Sequence, residues 1–183
     1  MKHELLVAGF GGQGVLSMGM TLAYAGMVEG KQISWMPSYG PEMRGGTANC
    51  IVIVSDAKVS SPILTTFDTV IALNQPSLDK FEHAVKPGGL LIFESTNMIT
   101  APTRTDIALL PVAAALEAAK LKNPRTMNMI VLGAFLDRTH VVEISGVMEA
   151  LKKVLPERYH NLLPLNEQAL RRGMELSRRP VPA

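Results

Sequence analysis

The chain has 183 residues, of which 47% are hydrophobic and 19% are charged, and its 18 Lys and Arg residues nearly balance 16 Asp and Glu residues. This length is typical of one domain with its own core, and a net charge of +2 does not indicate a nucleic-acid partner. The single cysteine, Cys50, excludes an internal disulfide and an iron–sulfur cluster held by this chain alone.

Apolar runs and glycines predict alternating strands and helices from the start of the chain. The first elements are a buried strand at 4–9, a glycine turn at 10–14, a helix at 15–28, a strand at 32–36, a loop at 37–46 and a strand at 47–54. In the helix, Gly19, Ala23 and Gly26 allow a close approach to a sheet. Because the strand at 47–54 follows its predecessor without an intervening helix, we expect a mixed sheet. Within that strand, Cys50 is predicted to be a buried structural thiol.

The alternation continues through the rest of the chain. It predicts strands at 69–73, 90–93 and 106–110, and helices at 76–85, 113–121, 126–136 and 144–155. Val85 is assigned to the first of these helices, which Pro87-Gly88-Gly89 ends. The helix at 126–136 is apolar on all sides, so we expect it in the core or under a partner. Asn166 is predicted to cap the last helix, with Leu165 and Leu170 as a hydrophobic staple.

The expected fold is of the α/β class. The pattern predicts a Rossmann-like three-layer domain with an open, mostly parallel (mixed) twisted sheet, formed as a single domain by residues 1–183. The N-terminal apolar run at 5–8 is too short for a secretory signal, and the run at 127–136 is too short to span a bilayer. We therefore expect a cytoplasmic protein with no membrane partner.

The first functional motif is the glycine loop Gly9-Phe10-Gly11-Gly12-Gln13-Gly14, which fits the pattern G-x-G-x-x-G between a strand and a helix. Such a loop lets the backbone approach a phosphate at a helix N-terminus. A nicotinamide dinucleotide also needs a carboxylate after the second strand, and residues 33–38 contain none, which argues against NAD and NADP. Two interpretations stay open: the loop binds a phosphate of another ligand, or its glycines serve packing alone.

The second motif is the loop at 38–46, in which Gly-Pro and Gly-Gly flank Glu42 and Arg44. Rigid loops that hold charged groups on a scaffold often carry function. The planar guanidinium of Arg44 is suited to a carboxylate or a phosphate. The alternative is a Glu42–Arg44 surface pair that contributes about 0–1 kcal/mol.

Three motifs together resemble those of the gamma subunit of 2-oxoacid:ferredoxin oxidoreductases, the pyruvate ferredoxin oxidoreductase gamma-domain family. They are the glycine loop, the segment Pro37-Ser38-Tyr39-Gly40-Pro41-Glu42-Met43-Arg44-Gly45-Gly46-Thr47-Ala48, and Asn74-Gln75-Pro76-Ser77. The resemblance covers residues 3–176. The second segment is more similar to the 2-oxoglutarate and branched-chain 2-oxoacid branches than to the pyruvate branch.

The resemblance implies a subunit of an enzyme complex. The family decarboxylates a 2-oxoacid oxidatively, forms an acyl-CoA and passes electrons to ferredoxin or flavodoxin. Thiamine diphosphate, with its Mg²⁺, lies between the alpha and beta subunits, and the 4Fe-4S clusters lie in beta or ferredoxin-like delta subunits. The gamma subunit carries none of these groups, docks on the catalytic pair and is linked to the coenzyme A site.

The expected site comprises ligand-binding residues only, with no catalytic residue and no metal ligand. These are Gly9, Gly11, Gly12, Gln13, Gly14, Tyr39, Glu42, Arg44, Gly45, Gly46 and Asn74. Both loops are expected at the same edge of the sheet, facing the catalytic subunits or coenzyme A. The first alternative is a free-standing nucleotide-binding module that uses the glycine loop. The second is a subunit that only stabilises the complex.

Overall fold

The computed structural model describes residues 1–39, 46–59, 61 and 63–179, with the backbone alone described at Tyr39. These residues form six strands and six α-helices. The strands are β1 (Lys2–Phe10), β2 (Gln32–Tyr39), β3 (Thr47–Ser55), β4 (Phe67–Ala72), β5 (Val85–Glu94) and β6 (Ala108–Val112). The α-helices are α1 (Val15–Val28), α2 (Gln75–Phe81), α3 (Ala114–Lys120), α4 (Met127–Thr139), α5 (Ile144–Val154) and α6 (Leu163–Ser177).

The strands form one open sheet in the order β2-β3-β1-β4-β5-β6. The four strands β1, β4, β5 and β6 are parallel, whereas β3 is antiparallel to both of its neighbours, β1 and β2. A short connection can join antiparallel strands, whereas a parallel pair needs a long crossover. The short segment between β2 and β3 therefore explains the antiparallel pair, and the predicted mixed sheet is confirmed.

Helices cover the two faces of the sheet unequally. One face packs against α1, α3, α4, α5 and α6, and the other packs mainly against α2. In β1, alternate side chains serve opposite faces, so that Leu5 and Val7 belong to the first cluster and Leu6 to the second. All three are almost completely buried, as is typical of a strand inside a three-layer α/β domain. The predicted fold class is confirmed.

The packing of α1 on the sheet depends on two small residues. A Cβ atom on Gly19 would collide with the Cys50 sulfur on β3, and one on Gly26 would collide with Ile33 on β2. The Cys50 thiol is completely buried, and burial raises its pKa to about 12. The predicted close approach of the helix and the predicted structural thiol are both confirmed.

Two predicted boundaries are wrong at the second helix. Helix α2 ends at Phe81, a 3₁₀ turn follows at Glu82–Ala84, and Val85 begins β5 instead of continuing the helix. The Pro-Gly-Gly sequence lies inside this strand. It forms a bulge between the pairs Phe67↔Val85 and Thr69↔Leu90, where Gly88 has φ +73°. An apolar Val85 fits both the end of a helix face and the start of a buried strand, so periodicity alone did not separate these two assignments.

The start of the last helix also differs from the prediction. Helix α6 begins at Leu163, directly after a 3₁₀ segment at Glu157–Leu162, and Pro164 lies in its first turn. Asn166 is therefore inside the helix, where its Nδ2 donates to the Leu162 carbonyl at 3.1 Å. The 3₁₀ segment continues into the helix, so no separate cap is needed at Asn166.

Helix α4 is covered within the chain itself. It lies beneath α6, and the two helices cross where Gly133 of α4 faces the Leu170 backbone and Gly173 of α6 faces the Ile130 backbone. The sequence left open whether this apolar helix lies in the core or under a partner, and the contact with α6 places it in the core. No helix in the described part of the chain is long and apolar enough to cross a membrane.

Candidate functional site

A cavity of about 580 Å³ opens at the carboxyl edge of the sheet, where β1 ends and α1 begins. Residues from three places line it: the glycine loop, the first turn of α1, and strands β2 and β3 with the residue that precedes β3. They are Phe10, Gly11, Gly12, Gly14, Val15, Leu16, Ser17, Trp35, Pro37, Gly46, Thr47 and Ala48. Four predicted site residues, Gly11, Gly12, Gly14 and Gly46, thus lie around one cavity.

The turn between β1 and α1 requires glycine at two positions. Gly12 and Gly14 have φ angles of +96° and +79°, in the left-handed region that other residues avoid. Gly14 also precedes the first helical residue and lies against Asn128 of α4, which leaves no space for a Cβ atom. These constraints give the loop one defined shape at the helix start.

The two predicted loops meet at one hydrogen bond. The Gly11 N–H donates to the Gly46 carbonyl at 2.9 Å, which joins the glycine loop to the residue preceding β3. Three other predicted residues, Glu42, Arg44 and Gly45, lie outside the described residues. The Tyr39 backbone ends β2 and pairs with Ala48.

The start of α1 supplies hydrogen-bond donors to the cavity. The N–H groups of Val15, Leu16 and Ser17 have no intrahelical acceptor because the ladder begins with the Met18 N–H bonded to the Gly14 carbonyl at 2.9 Å. Together with the partial positive charge of the helix N-terminus, they favour an anionic group. Among the described residues that line the cavity, none is charged.

Part of the cavity lining is apolar and aromatic. Phe10, Leu16, Trp35 and Pro37 contribute to this part of the lining. Trp35 was missed as a site residue in the sequence, although it lies on the same strand face as Pro37 and is the only tryptophan of the chain. Aromatic side chains in the same cavity as a helix N-terminus suit a ligand with both a flat ring and phosphate groups.

Gln13 and Asn74 are held by internal hydrogen bonds. The Gln13 Oε1 accepts from the Phe10 N–H at 2.7 Å and from the Asn74 Nδ2 at 2.9 Å, while its Nε2 donates to the Leu73 carbonyl at 3.1 Å. Asn74 also caps α2, since its Oδ1 accepts from the Ser77 N–H at 2.9 Å. Both side chains therefore tie the glycine loop to β4 and α2, and their assignment to a ligand stays a prediction.

Gly9 has a packing function beside Gln13. A Cβ atom on Gly9 would lie 2.8 Å from the Gln13 Oε1 and 2.9 Å from the Val15 side chain. The sequence left phosphate binding and packing open as explanations of this motif. Packing accounts for Gly9 and internal hydrogen bonds hold Gln13, whereas Gly11, Gly12 and Gly14 line the cavity.

The sheet topology explains why the dinucleotide carboxylate is missing. A dinucleotide site uses the carboxyl end of a second parallel strand beside β1 to carry this carboxylate. Here β3 occupies that position and runs antiparallel, with Phe10 opposite Thr47 and Gly9 opposite Ala48. The amino end of β3 therefore borders the cavity, and its lining residues Thr47 and Ala48 carry no charge.

The described residues form no group of three or more metal-ligating side chains. The thiol of Cys50 lies beneath α1 and is a poor nucleophile, because its pKa is raised to about 12 by burial. The described lining of the cavity offers a ligand backbone donors and aromatic side chains.

Known proteins match this chain over almost its whole length. The family model for pyruvate ferredoxin/flavodoxin oxidoreductase matches residues 4–176. The ketoisovalerate oxidoreductase subunit VorA of Methanothermobacter thermautotrophicus is 40% identical over 177 residues, which are 96% of this chain and 36% of the relative. The chain therefore spans about a third of the length of that relative.

Solved structures share the fold. The gamma subunit of a keto/oxoacid ferredoxin oxidoreductase from Geobacter sulfurreducens PCA has a TM-score of 0.80 and 28% identity, and the match covers 96% of this chain and 98% of that one. A 2-oxoglutarate:ferredoxin oxidoreductase from Magnetococcus marinus, solved with 2-oxoglutarate, coenzyme A and succinyl-CoA bound, has a TM-score of 0.89. At 24% identity it shows the fold alone, over 100% of this chain and 32% of that chain.

Proposed function

Because the chain belongs to the pyruvate ferredoxin/flavodoxin oxidoreductase family, which it matches over residues 4–176, we propose that it acts as the gamma subunit of a 2-oxoacid:ferredoxin oxidoreductase. The complex oxidises a 2-oxoacid such as 2-oxoglutarate or 2-oxoisovalerate to an acyl-CoA and reduces ferredoxin. The Geobacter gamma subunit supports this assignment, because it matches the chain over nearly the full length of both proteins.

In this proposal the reaction itself takes place on other subunits. Alpha and beta subunits hold thiamine diphosphate and Mg²⁺, and a ferredoxin-like delta subunit carries 4Fe-4S clusters. The isolated chain is inactive, and its cavity offers backbone donors and apolar side chains to a ligand. Its contribution is to bind and orient a shared ligand.

The cavity at the glycine loop supports coenzyme A as that ligand. Coenzyme A contains an adenine ring and phosphate groups, which fit the aromatic side chain of Trp35 and the N-terminus of α1. The Magnetococcus structure holds coenzyme A in a protein that shares this fold. The single observation that carries the proposal is the juxtaposition of Trp35 with the first turn of α1 in one cavity.

Replacement of Trp35 tests the coenzyme A assignment in the assembled complex. Stacking on an aromatic side chain contributes about 1–3 kcal/mol per base, so Trp35→Ala is expected to raise the KM for coenzyme A by about 5-fold to 150-fold. The kcat at saturating coenzyme A and the KM for the 2-oxoacid are expected to stay within about twofold. Steady-state kinetics measure all three quantities.

Tyr159→Ala is the matched control, since Tyr159 is 38% exposed and Trp35 is 36% exposed. The control is expected to leave the KM for coenzyme A unchanged. An unchanged KM in Trp35→Ala as well would reject coenzyme A as the ligand of this cavity and favour a purely structural subunit.

A free-standing nucleotide-binding module is the second candidate, and the glycine loop favours it. Calorimetry on the isolated chain with coenzyme A, ADP, NAD and FAD separates the two candidates. The gamma-subunit proposal would be replaced if two results are found together. The isolated chain would have to bind a dinucleotide tightly, and it would have to purify from its source without a thiamine-dependent partner.

A further inference from the structure

Helix α1 presents an apolar strip to solvent along its whole length. Leu16, Met20, Tyr24 and Val28 follow one another at intervals of four residues, which places them on one face of the helix. Met27 lies beside them and is 60% exposed. These five residues are called the α1 surface below, and Trp35 of the neighbouring strand β2 lies at its border.

This surface differs from the outer faces of the other helices. Among the helices of the described residues, α1 is the one without a charged side chain. Its neighbour α5 presents Glu149 and Lys152 to solvent, and these two form an ion pair with each other. A contiguous apolar strip that the fold itself leaves uncovered marks an interaction site.

The α1 surface is continuous with the candidate ligand cavity. Leu16 belongs to both, and the cavity residue Trp35 lies against the helix at their border, since a Cβ atom on Gly19 would be 3.1 Å from the Trp35 Nε1. Strand β2 is also the outermost strand of the sheet at this side. A partner that covers the α1 surface would therefore also close the cavity.

The chain lengths of the relatives indicate what covers this surface. The same domain fills 98% of the Geobacter gamma subunit, but only 36% of VorA and 32% of the Magnetococcus chain. In those longer chains it is covalently joined to a remainder about twice its size, whereas in the short chain it stands alone. A domain that associates with such a remainder without a covalent link needs a docking surface, and permanent interfaces of this kind are apolar.

We propose that the remainder corresponds to the thiamine-binding subunits of the proposed complex, and that the α1 surface docks on them. The inference rests on the proposed function and adds the face through which the chain is held. Uncharged α1 side chains fit a partner surface that is equally apolar, with the cavity enclosed at the edge of the interface.

Charge introduced at the centre of the α1 surface tests the inference in the co-expressed complex. The variants are Met27→Lys and the double variant Tyr24→Lys/Met27→Lys, purified through a tag on this chain. Leu116→Lys is the control, because Leu116 is 49% exposed on α3, which follows the strand at the opposite edge of the sheet. Since all three side chains reach solvent, the variants are expected to unfold within a few degrees of the wild type, about 3 °C at most.

The wild type and Leu116→Lys are expected to retain the thiamine-binding subunits in equal amount. The double variant is expected to retain about a tenth or less, with Met27→Lys in between, because central interface positions dominate binding. Equal retention by the double variant would overturn the inference and leave the proposed function intact. The inference would also be overturned if the wild-type chain forms a dimer that the double substitution dissociates while the thiamine-binding subunits are retained. The α1 surface would then bind a second copy of this chain. If the wild type retains no thiamine-binding subunit, the proposed function itself fails.

Discussion

At the scale of single residues, the amide of Gln13 is the best-defined polar group of the glycine loop. It bonds to the backbone of Phe10 and Leu73 and to the side chain of Asn74, and thereby connects β1, β4 and α2. The position of Gly12 and Gly14 at the cavity depends on this connection, because Gln13 lies between them in the chain.

Gln13→Ala is expected to lower the free energy of unfolding by about 1–3 kcal/mol, since the Phe10 N–H and the Leu73 carbonyl lose their partner. Urea denaturation measures this difference. Gln168→Ala is the control, because Gln168 is exposed on α6, and its effect is expected within about 0.5 kcal/mol. An equal effect of the two substitutions would show that the Gln13 bonds do not stabilise the loop.

Residue types predicted part of the site. The glycines at 12 and 14 were predictable, because a tight strand-to-helix turn with positive φ admits few other residues. The internal function of Gln13 was not, since its partner Leu73 is far away in the chain and becomes a neighbour only through the parallel pairing of β1 with β4. Trp35 was missed because nothing in the local sequence shows that its face of β2 borders the first turn of α1.

At the scale of elements, helices α4 and α6 cross in direct backbone contact. Gly133 and Gly173 each face a backbone carbonyl of the other helix, those of Leu170 and Ile130. Small residues at a crossing let two helices pack backbone to backbone, and here the contact seals the apolar helix α4 within the core.

Gly173→Ala is expected to destabilise the chain although alanine favours helix by about 1 kcal/mol over glycine. The new methyl group would overlap the Ile130 carbonyl, and backbone cannot yield as a flexible side chain does, so a net loss of about 2 kcal/mol or more is expected. Thermal and urea unfolding measure whether the free energy of unfolding falls or rises. Gly173→Ala with unchanged or higher stability would show that the helices do not approach this closely.

Element boundaries followed from the sequence where glycines mark both ends of an element, as in α1, which lies between Gly14 and Gly30 and whose predicted and observed ranges are the same. They did not follow where two structures share a residue pattern. Val85 continues an apolar helix face in sequence, but it starts β5, and the Pro-Gly-Gly bulge keeps the rest of that strand in register with β4. Likewise, the 3₁₀ segment before α6 moved the helix start ahead of Asn166.

At the scale of the whole molecule, the antiparallel strand β3 decides the character of the site. It replaces the parallel neighbour that a dinucleotide site would use, and it brings the residue before it into contact with the glycine loop through the Gly11–Gly46 bond. The mixed sheet was predictable from the absence of a helix between two strands. The strand order was not, because it depends on which long-range pairs form.

The central claim is that this chain has no catalytic activity alone and completes a 2-oxoacid:ferredoxin oxidoreductase. Reconstitution tests it most directly, by measuring ferredoxin reduction that depends on both a 2-oxoacid and coenzyme A. We expect no activity for the chain alone, full activity for the complete complex, and at least about a tenfold loss of kcat/KM for coenzyme A when the chain is left out. Thiamine-binding subunits that work equally well without the chain, or a chain that is active by itself, would contradict it.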